Sequence, residues 1–227
     1  MIYAEKGIRQ LDSFYAWLLG LLKPEEDRRL LDVSCGEGHL LRIGAEYGLA
    51  LYGVDISHAA VAIARQNTPM TGLVTGDAED LPFLDDSFDY VTNIGSIEHY
   101  LHPEEGVKEV ARVLKQTGTA CILLPNSFAL TWNILSVWRT GHISDDGQPI
   151  QRYATRKEWQ ELLEGNGLSV FNTLKYEREL PRSLEDAWWY IKHPKKLLHL
   201  AISPLIPLNL ANCFVFLCRK ARTKAGG

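Results

Sequence analysis

Leu30-Leu31-Asp32-Val33-Ser34-Cys35-Gly36-Glu37-Gly38 sets the architecture of this chain. Residues 29–33 are mostly apolar and too few for a helix, so they read as a buried strand, and the glycines behind them form a tight turn. Past the turn, Leu40, Leu41, Ile43 and Ala45 recur at helical spacing and stop at Gly48. A second strand follows over residues 49–54. Ser57 then stands where a helix cap accepts a hydrogen bond from the first turn of a helix running through Ala60, Val61, Ile63 and Ala64.

The alternation persists downstream. Residues 72–75 read as a strand, 81–86 as a loop, 88–92 as a strand and 120–124 as a continuous apolar strand. Between the last two, residues 103–114 form a helix with Val107, Val110, Ala111 and Leu114 on one face. Strands alternating with helices imply βαβ units and a mostly parallel sheet covered on both faces. Upstream, Ile8, Leu11, Phe14, Tyr15, Leu18, Leu19 and Leu22 form a helical stripe that Pro24 ends. After Pro125 the rhythm changes. Two long stretches, about 127–152 and 177–210, separate a helix over 155–164, a strand over 168–176 and a last strand over 213–217. They read as lid-like insertions in a single domain spanning 1–227, because loops of such length are usually functional.

Composition narrows the class. Of 227 residues, 46% are hydrophobic and 23% charged, which excludes general disorder. Lys plus Arg number 24 and Asp plus Glu 28, a net charge of −4 that argues against nucleic acid as partner. Cys35, Cys121, Cys213 and Cys218 form no C-x-x-C pair and no disulfide framework. Glu5, Lys6 and Arg9 leave no apolar stretch for a signal peptide, so a reduced, cytoplasmic setting is expected. Residues 197–218 carry no charge if His199 is neutral, a length that could span a bilayer. Pro204, Pro207, Asn209 and Asn212 interrupt it, so a buried lid followed by a core strand is expected instead.

In an open α/β sheet, ligands bind beyond the carboxyl ends of the strands at the point where strand order reverses. A dinucleotide turn wants G-x-G-x-x-G; the corresponding positions here are Ser34, Gly36 and His39, which disfavours a pyrophosphate. The same turn resembles the first motif of the class I S-adenosylmethionine-dependent methyltransferases, of the type 11 kind, with Ser34 where glycine is common. Backbone approach at Gly36 and Gly38, flanked by Asp32, Ser34 and Cys35, would admit the methionyl part of the ligand. Asp55, closing the next strand 19 residues after Gly36, would accept from both ribose hydroxyls, with Ile56 beside it. Gly76-Asp77-Ala78-Glu79-Asp80-Leu81-Pro82-Phe83 resembles the family's third motif, which implies Asp77 facing the adenine amino group and Ala78 the ring. Ser87-Phe88-Asp89-Tyr90-Val91 and Arg112-Val113-Leu114-Lys115 match its fourth strand and the helix before its fifth. The resemblance covers about residues 30–126. It implies a three-layer Rossmann-like fold with a seven-stranded, mostly parallel sheet whose last strand is antiparallel, S-adenosylmethionine as cofactor and S-adenosylhomocysteine as product.

Methyl transfer from a sulfonium needs alignment and exclusion of water, and a base only where the acceptor must lose a proton. Asn93 and Gly95, after the fourth strand, would line the cofactor, and His99 is the candidate base. Glu98-His99 resembles part of the E-x-x-E-H cluster that holds a divalent metal in ubiquinone-type O-methyltransferases. Gly95 occupies the first glutamate position, so no metal is expected. His142, Arg152 and Tyr153 are candidates to face the acceptor. Trp132, Trp138, Trp188 and Trp189 in the insertions suggest an apolar or ring-bearing small molecule. Lys192-His193-Pro194-Lys195-Lys196 beside an apolar stretch suggests peripheral contact with an anionic membrane. The expected function is O-methylation of a small organic acceptor. The alternatives are C-methylation of a quinone or polyketide ring, a non-catalytic S-adenosylmethionine binder, and a nicotinamide-dependent reductase.

Overall fold

A computed structural model describes residues 10–68, 72–145 and 147–222. Ile8, expected at the head of the first helical stripe, lies outside the described residues, as do Glu5, Lys6 and Arg9. Seven strands form one sheet: β1 (Arg29–Val33), β2 (Ala50–Asp55), β3 (Gly72–Thr75), β4 (Phe88–Ile94), β5 (Leu114–Pro125), β6 (Leu168–Tyr176) and β7 (Cys213–Lys220). Their order is β3-β2-β1-β4-β5-β7-β6. The pairs among β1 to β5 are parallel, whereas β7 runs antiparallel to both β5 and β6. The chain moves outward from β1 to β3 and then returns to lay β4 on the other side of β1. That reversal places a crevice over the tips of β1 and β4.

Both faces of the sheet are buried, which is why β1 reads as an apolar run rather than an alternation. Successive side chains point to opposite faces. Leu31 and Val33 join one core with Val107, Val110 and Phe216. Leu30 joins the other with Phe14, Leu18, Leu19 and Leu41. The second core is covered by α1 (Asp12–Leu22), α2 (His39–Ala45) and α3 (His58–Asn67), and the first by α4 (Pro103–Val113) and α6 (Arg156–Gly165). Ser57 caps α3 as the sequence indicates, accepting from the Ala60 N–H at 3.3 Å. Thr155 and Glu158 form a reciprocal cap on α6.

The start of β5 and the insertions depart from the sequence expectation, whereas α1 stops ahead of Pro24 as expected. Lys23, in the left-handed conformation at φ 52°, ends α1 one residue before Pro24. Leu114 belongs to β5, not to the preceding helix, and pairs with Phe88 across a register shift. The polar start of β5, Lys115 to Thr119, hid that extension from any hydrophobicity pattern. The insertions are helical rather than loop-like. A π-helical turn, Leu130–Ile134, leads into α5 (Leu135–Thr140). The second insertion holds α7 (Leu184–Lys192), α8 (Pro194–Ile202) and two 3₁₀ turns. It is not the buried lid expected: among the described residues, α8 buries no side chain. The uncharged run then ends in β7, which is a core strand. Among the described residues no helix is long and apolar enough to cross a membrane.

Candidate active site

The turn after β1 is held by backbone geometry. Ser34, Gly36 and Gly38 all have positive φ, at 61°, 52° and 78°. The Cys35 N–H donates to the Val54 carbonyl at 3.0 Å, and the Gly36 N–H donates to Asp55 Oδ2 at 2.8 Å. The other Asp55 oxygen accepts from the Ser57 N–H at 2.8 Å. One carboxylate thereby fixes the β1 turn and the start of α3 together. A Cβ on Gly36 would meet nothing within 4 Å, so the backbone there borders open space. A Cβ on Gly38 would lie 3.1 Å from the Ala64 Cβ, so that glycine serves the approach of α3.

Ser34 stands where the motif it resembles usually has glycine, and Tyr100 accompanies it. The two hydroxyls lie 2.9 Å apart, and the Asn93 amide donates to the Tyr100 oxygen at 2.7 Å. Ser96 in turn donates to Asn93 Oδ1 at 2.9 Å. Burial pushes the Tyr100 phenol up to about 12, so it remains a neutral hydroxyl. A non-glycine residue in the left-handed region costs about 1–2 kcal/mol, and a hydrogen bond of about 1 kcal/mol offsets much of that.

Asp32 is 5% exposed and accepts from Thr92 Oγ1 at 2.7 Å. Burial raises its carboxyl to about 7; Asp55 adds to the shift and the Thr92 bond opposes it. Burial likewise pushes the Cys35 thiol up, so it is no nucleophile at neutral pH. A cavity of about 620 Å³ opens above these groups, and Asp32, Ser34, Cys35, Gly36, Gly95 and His99 line it. Gly38, Asp55, Ile56, Asp77, Ala78 and Asn93 are not part of that lining. Asp55 lies behind the turn it anchors, and Ile56 is 75% exposed at the tip of β2. The Gly76 N–H donates to the Asp55 carbonyl at 3.0 Å, which seats the Asp77-Ala78 turn beside β2. Asp77 Oδ1 accepts from the Glu79 N–H at 2.9 Å.

The far wall of the cavity comes from the insertions. Thr131, Glu177, His199 and Asn212 all line it, from four separate stretches of sequence. His199 Nε2 is 2.6 Å from Glu177 Oε2 and 3.1 Å from Thr131 Oγ1. Thr131 spends its proton on Asn212 Oδ1 at 2.9 Å, so Nε2 must be the donor to both oxygens. The Asn212 N–H donates to the other Glu177 oxygen at 2.9 Å. That network leaves the lone pair of a neutral His199 on Nδ1. Sequence reading passed over this group; the only signal was one histidine in an otherwise apolar run. Asn126 ties the roots of both insertions together, donating to the carbonyls of Asn209 and Ala211 at 2.9 and 2.8 Å.

His99 sits between the two ends. Its Nδ1–H donates to the Ile150 carbonyl at 2.6 Å, and Nε2 accepts from the Gln148 amide at 3.0 Å. Of the other residues expected to face the acceptor, Trp132 lines the cavity; His142, Arg152, Tyr153, Trp138, Trp188 and Trp189 do not. Arg152 instead donates to the carbonyls of Glu98 and Tyr100, where it braces the turn that carries His99. Among the described residues no three His, Cys, Asp or Glu side chains converge as metal ligands would.

These features fit S-adenosylmethionine. A ligand with a cationic ammonium and sulfonium suits a cavity floored by Asp32, and the bare Gly36 backbone leaves room for it. A family model described as a methyltransferase domain matches residues 31–122. The chain is 32% identical over 168 residues to the uncharacterized methyltransferase YcgJ of Bacillus subtilis, covering 71% of this chain and 64% of that protein. The chain is thus similar to the class I S-adenosylmethionine-dependent methyltransferases. A 2-methyl-6-phytyl-1,4-hydroquinone methyltransferase of Arabidopsis thaliana is 37% identical over 119 residues, 49% of this chain and 35% of its own. A phthiotriol/phenolphthiotriol dimycocerosates methyltransferase of Mycobacterium tuberculosis is 35% identical over 115 residues, 46% and 41% of the two chains. The chain thus spans less than two thirds of each of these methyltransferases. Solved structures share the fold: Bacillus subtilis YcgJ at TM-score 0.62 and 22% identity, over 92% of this chain and 98% of that one. The [4+2]-cyclase SpnF matches at TM-score 0.66 and 18% identity, over 93% and 82%.

Proposed function

We propose that this chain transfers a methyl group from S-adenosylmethionine to an oxygen of a small acceptor bearing a ring or an apolar tail. The observation that carries the reading is the single cavity whose one end is the Ser34–Gly36 turn and whose other end is the Glu177–His199 pair. A protein that only sensed the cofactor would need no such second end. S-adenosylmethionine supplies an electrophilic methyl carbon, and S-adenosylhomocysteine is the product.

The chain's own residues bind, orient and accept a proton. Asp55 lies behind the turn and outside the cavity lining, but each of its oxygens accepts one backbone N–H and has a second lone pair that would take a hydroxyl of the ribose diol. Ile56, Asp77 and Ala78 form the adenine side, and Gly95 and Asn93 flank the transfer point. Asp32 accepts a hydrogen bond from the ligand's ammonium, whose positive charge favours the ionised form of this buried carboxyl. The insertions at 127–152 and 177–210, within one domain, build the acceptor wall. Glu177 and Thr131 hold the His199 proton on Nε2, so Nδ1 is the nitrogen that would take the acceptor's hydroxyl proton as the new bond forms. A general base of this kind contributes about 10²–10⁴-fold. His99, the base suggested by sequence, can act only if the acceptor displaces Gln148 from Nε2. C-methylation of a ring is the second reading, favoured by the relatives that are hydroquinone methyltransferases.

Incubation with methyl-labelled S-adenosylmethionine and a decyl-substituted 1,4-hydroquinone tests both. Label in an aryl ether supports O-methylation, and label on ring carbon supports the second reading. No label in the probe, with cofactor binding intact, contradicts both.

A further inference from the structure

We propose that α7 and α8 dock this protein on an anionic lipid surface. On α7, Leu184, Trp188 and Ile191 are exposed at spacings of four and three residues, one stripe of the helix. On α8 and the turn behind it, Leu198, Ile202 and Leu205 repeat the same spacing. Leu184, Trp188, Leu198 and Leu205 are 84%, 61%, 64% and 83% exposed. Two consecutive helices with unpartnered apolar stripes are not how an ordinary soluble surface is built.

Charge identifies what covers them. Lys192, Lys195 and Lys196 are exposed at the elbow between the two stripes, with Arg182 ahead of α7. The acids of the same segment are mostly committed inside the protein. Glu177 bonds His199, Glu179 accepts from the Tyr176 hydroxyl at 2.6 Å, and Asp186 accepts from the Arg182 N–H at 3.0 Å. Only Glu185 remains as an exposed acid there. A chain of net charge −4 therefore presents a locally cationic, apolar face. Leucine, isoleucine and tryptophan beside lysines match a bilayer interface, where the rings and aliphatic chains enter the headgroup boundary and the ammonium groups meet lipid phosphates. A second copy of the chain fits worse, since a two-fold contact would set the three lysines against their own copies. The face is also firmly attached: Lys175 donates to the carbonyls of Ser203, Pro204 and Ile206, pinning the end of α8 to β6. Because α8 also carries Lys196 and His199 in the cavity wall, docking brings the acceptor end of the cavity to the lipid.

The inference stands apart from methyl transfer and is tested without it. The full chain is floated with vesicles of phosphatidylcholine alone and of phosphatidylcholine mixed with phosphatidylglycerol. Two double variants accompany it, Lys195→Glu with Lys196→Glu and Trp188→Ser with Leu198→Ser, and their thermal midpoints report that they remain folded. The wild type should float with the mixed vesicles only and release at high salt. The charge-reversed variant should partition roughly tenfold or more weakly, and the apolar variant should stay at the bottom. No flotation, equal flotation on both vesicles, or undiminished flotation of both folded variants overturns the proposal. So does a solution dimer that Trp188→Ser with Leu198→Ser dissolves.

Discussion

The two ends of the cavity are built in opposite ways. At the tips of β1 and β2, polar groups are fixed by backbone: Asp55 takes the Gly36 and Ser57 N–H groups, and three residues within five positions hold positive φ. At the acceptor end, Thr131, Glu177, His199 and Asn212 fix one another through side chains drawn from segments up to 81 residues apart. The first end is a local device sitting on two cores, and the second is a long-range assembly beneath exposed helices. The lesson is that the geometry of the proposed cofactor end is encoded in a short stretch, while that of the proposed acceptor end exists only once the chain has folded.

Four substitutions press on that contrast. His199→Ala should lower the rate of methyl transfer to the hydroquinone probe by about 10²–10⁴-fold with cofactor affinity unchanged; an equal loss of cofactor affinity would make the two ends one unit. Leu41→Ala, fully buried behind the cofactor turn, should lower unfolding free energy by about 2–5 kcal/mol in a denaturant titration. A small loss there would mean the turn is not resting on rigid packing. Asp32 gives a pH effect. Its folded carboxyl, at about 7, holds a proton that the unfolded chain, at 3.8, has released. Stability from this group is therefore complete below pH 4 and declines as pH rises to 7, by up to about 1.4 kcal/mol per unit. Asp32→Asn should flatten that slope in unfolding curves taken across the window. Trp138→Ser, 80% exposed on α5, should change stability by less than about 0.5 kcal/mol; a larger cost would show that the outer surface is a packed layer after all.

The same contrast explains what could be read in the sequence. Apolar runs and glycines announced β1, its turn and β2, because a buried parallel strand must be apolar and a turn with positive φ favours glycine. Ser57 announced its helix by capping chemistry. The polar opening of β5 gave no such sign, since Lys115 to Gly118 bulge between the Leu114–Phe88 and Thr119–Tyr90 pairs and bury no apolar side chain. The tolerance of Ser34 for a glycine conformation was equally hidden, for its partner Tyr100 lies 66 residues away. Glu177 and His199, 22 residues apart, look like ordinary surface residues until α8 folds back over the cavity. The uncharged run 197–218 is read only in part, because such a run is usually buried: its β7 portion is core, whereas α8 exposes Leu198 and Ile202.

Calorimetric titration with S-adenosylmethionine bears most directly on the cleft at the tips of β1 and β2. The wild type should bind at one site, and Asp55→Ala should lose several kcal/mol, about 1.5–3 for each charge-assisted bond. Absence of binding heat in the wild type, or equal affinity in Asp55→Ala, would contradict the assignment of this cleft to the cofactor.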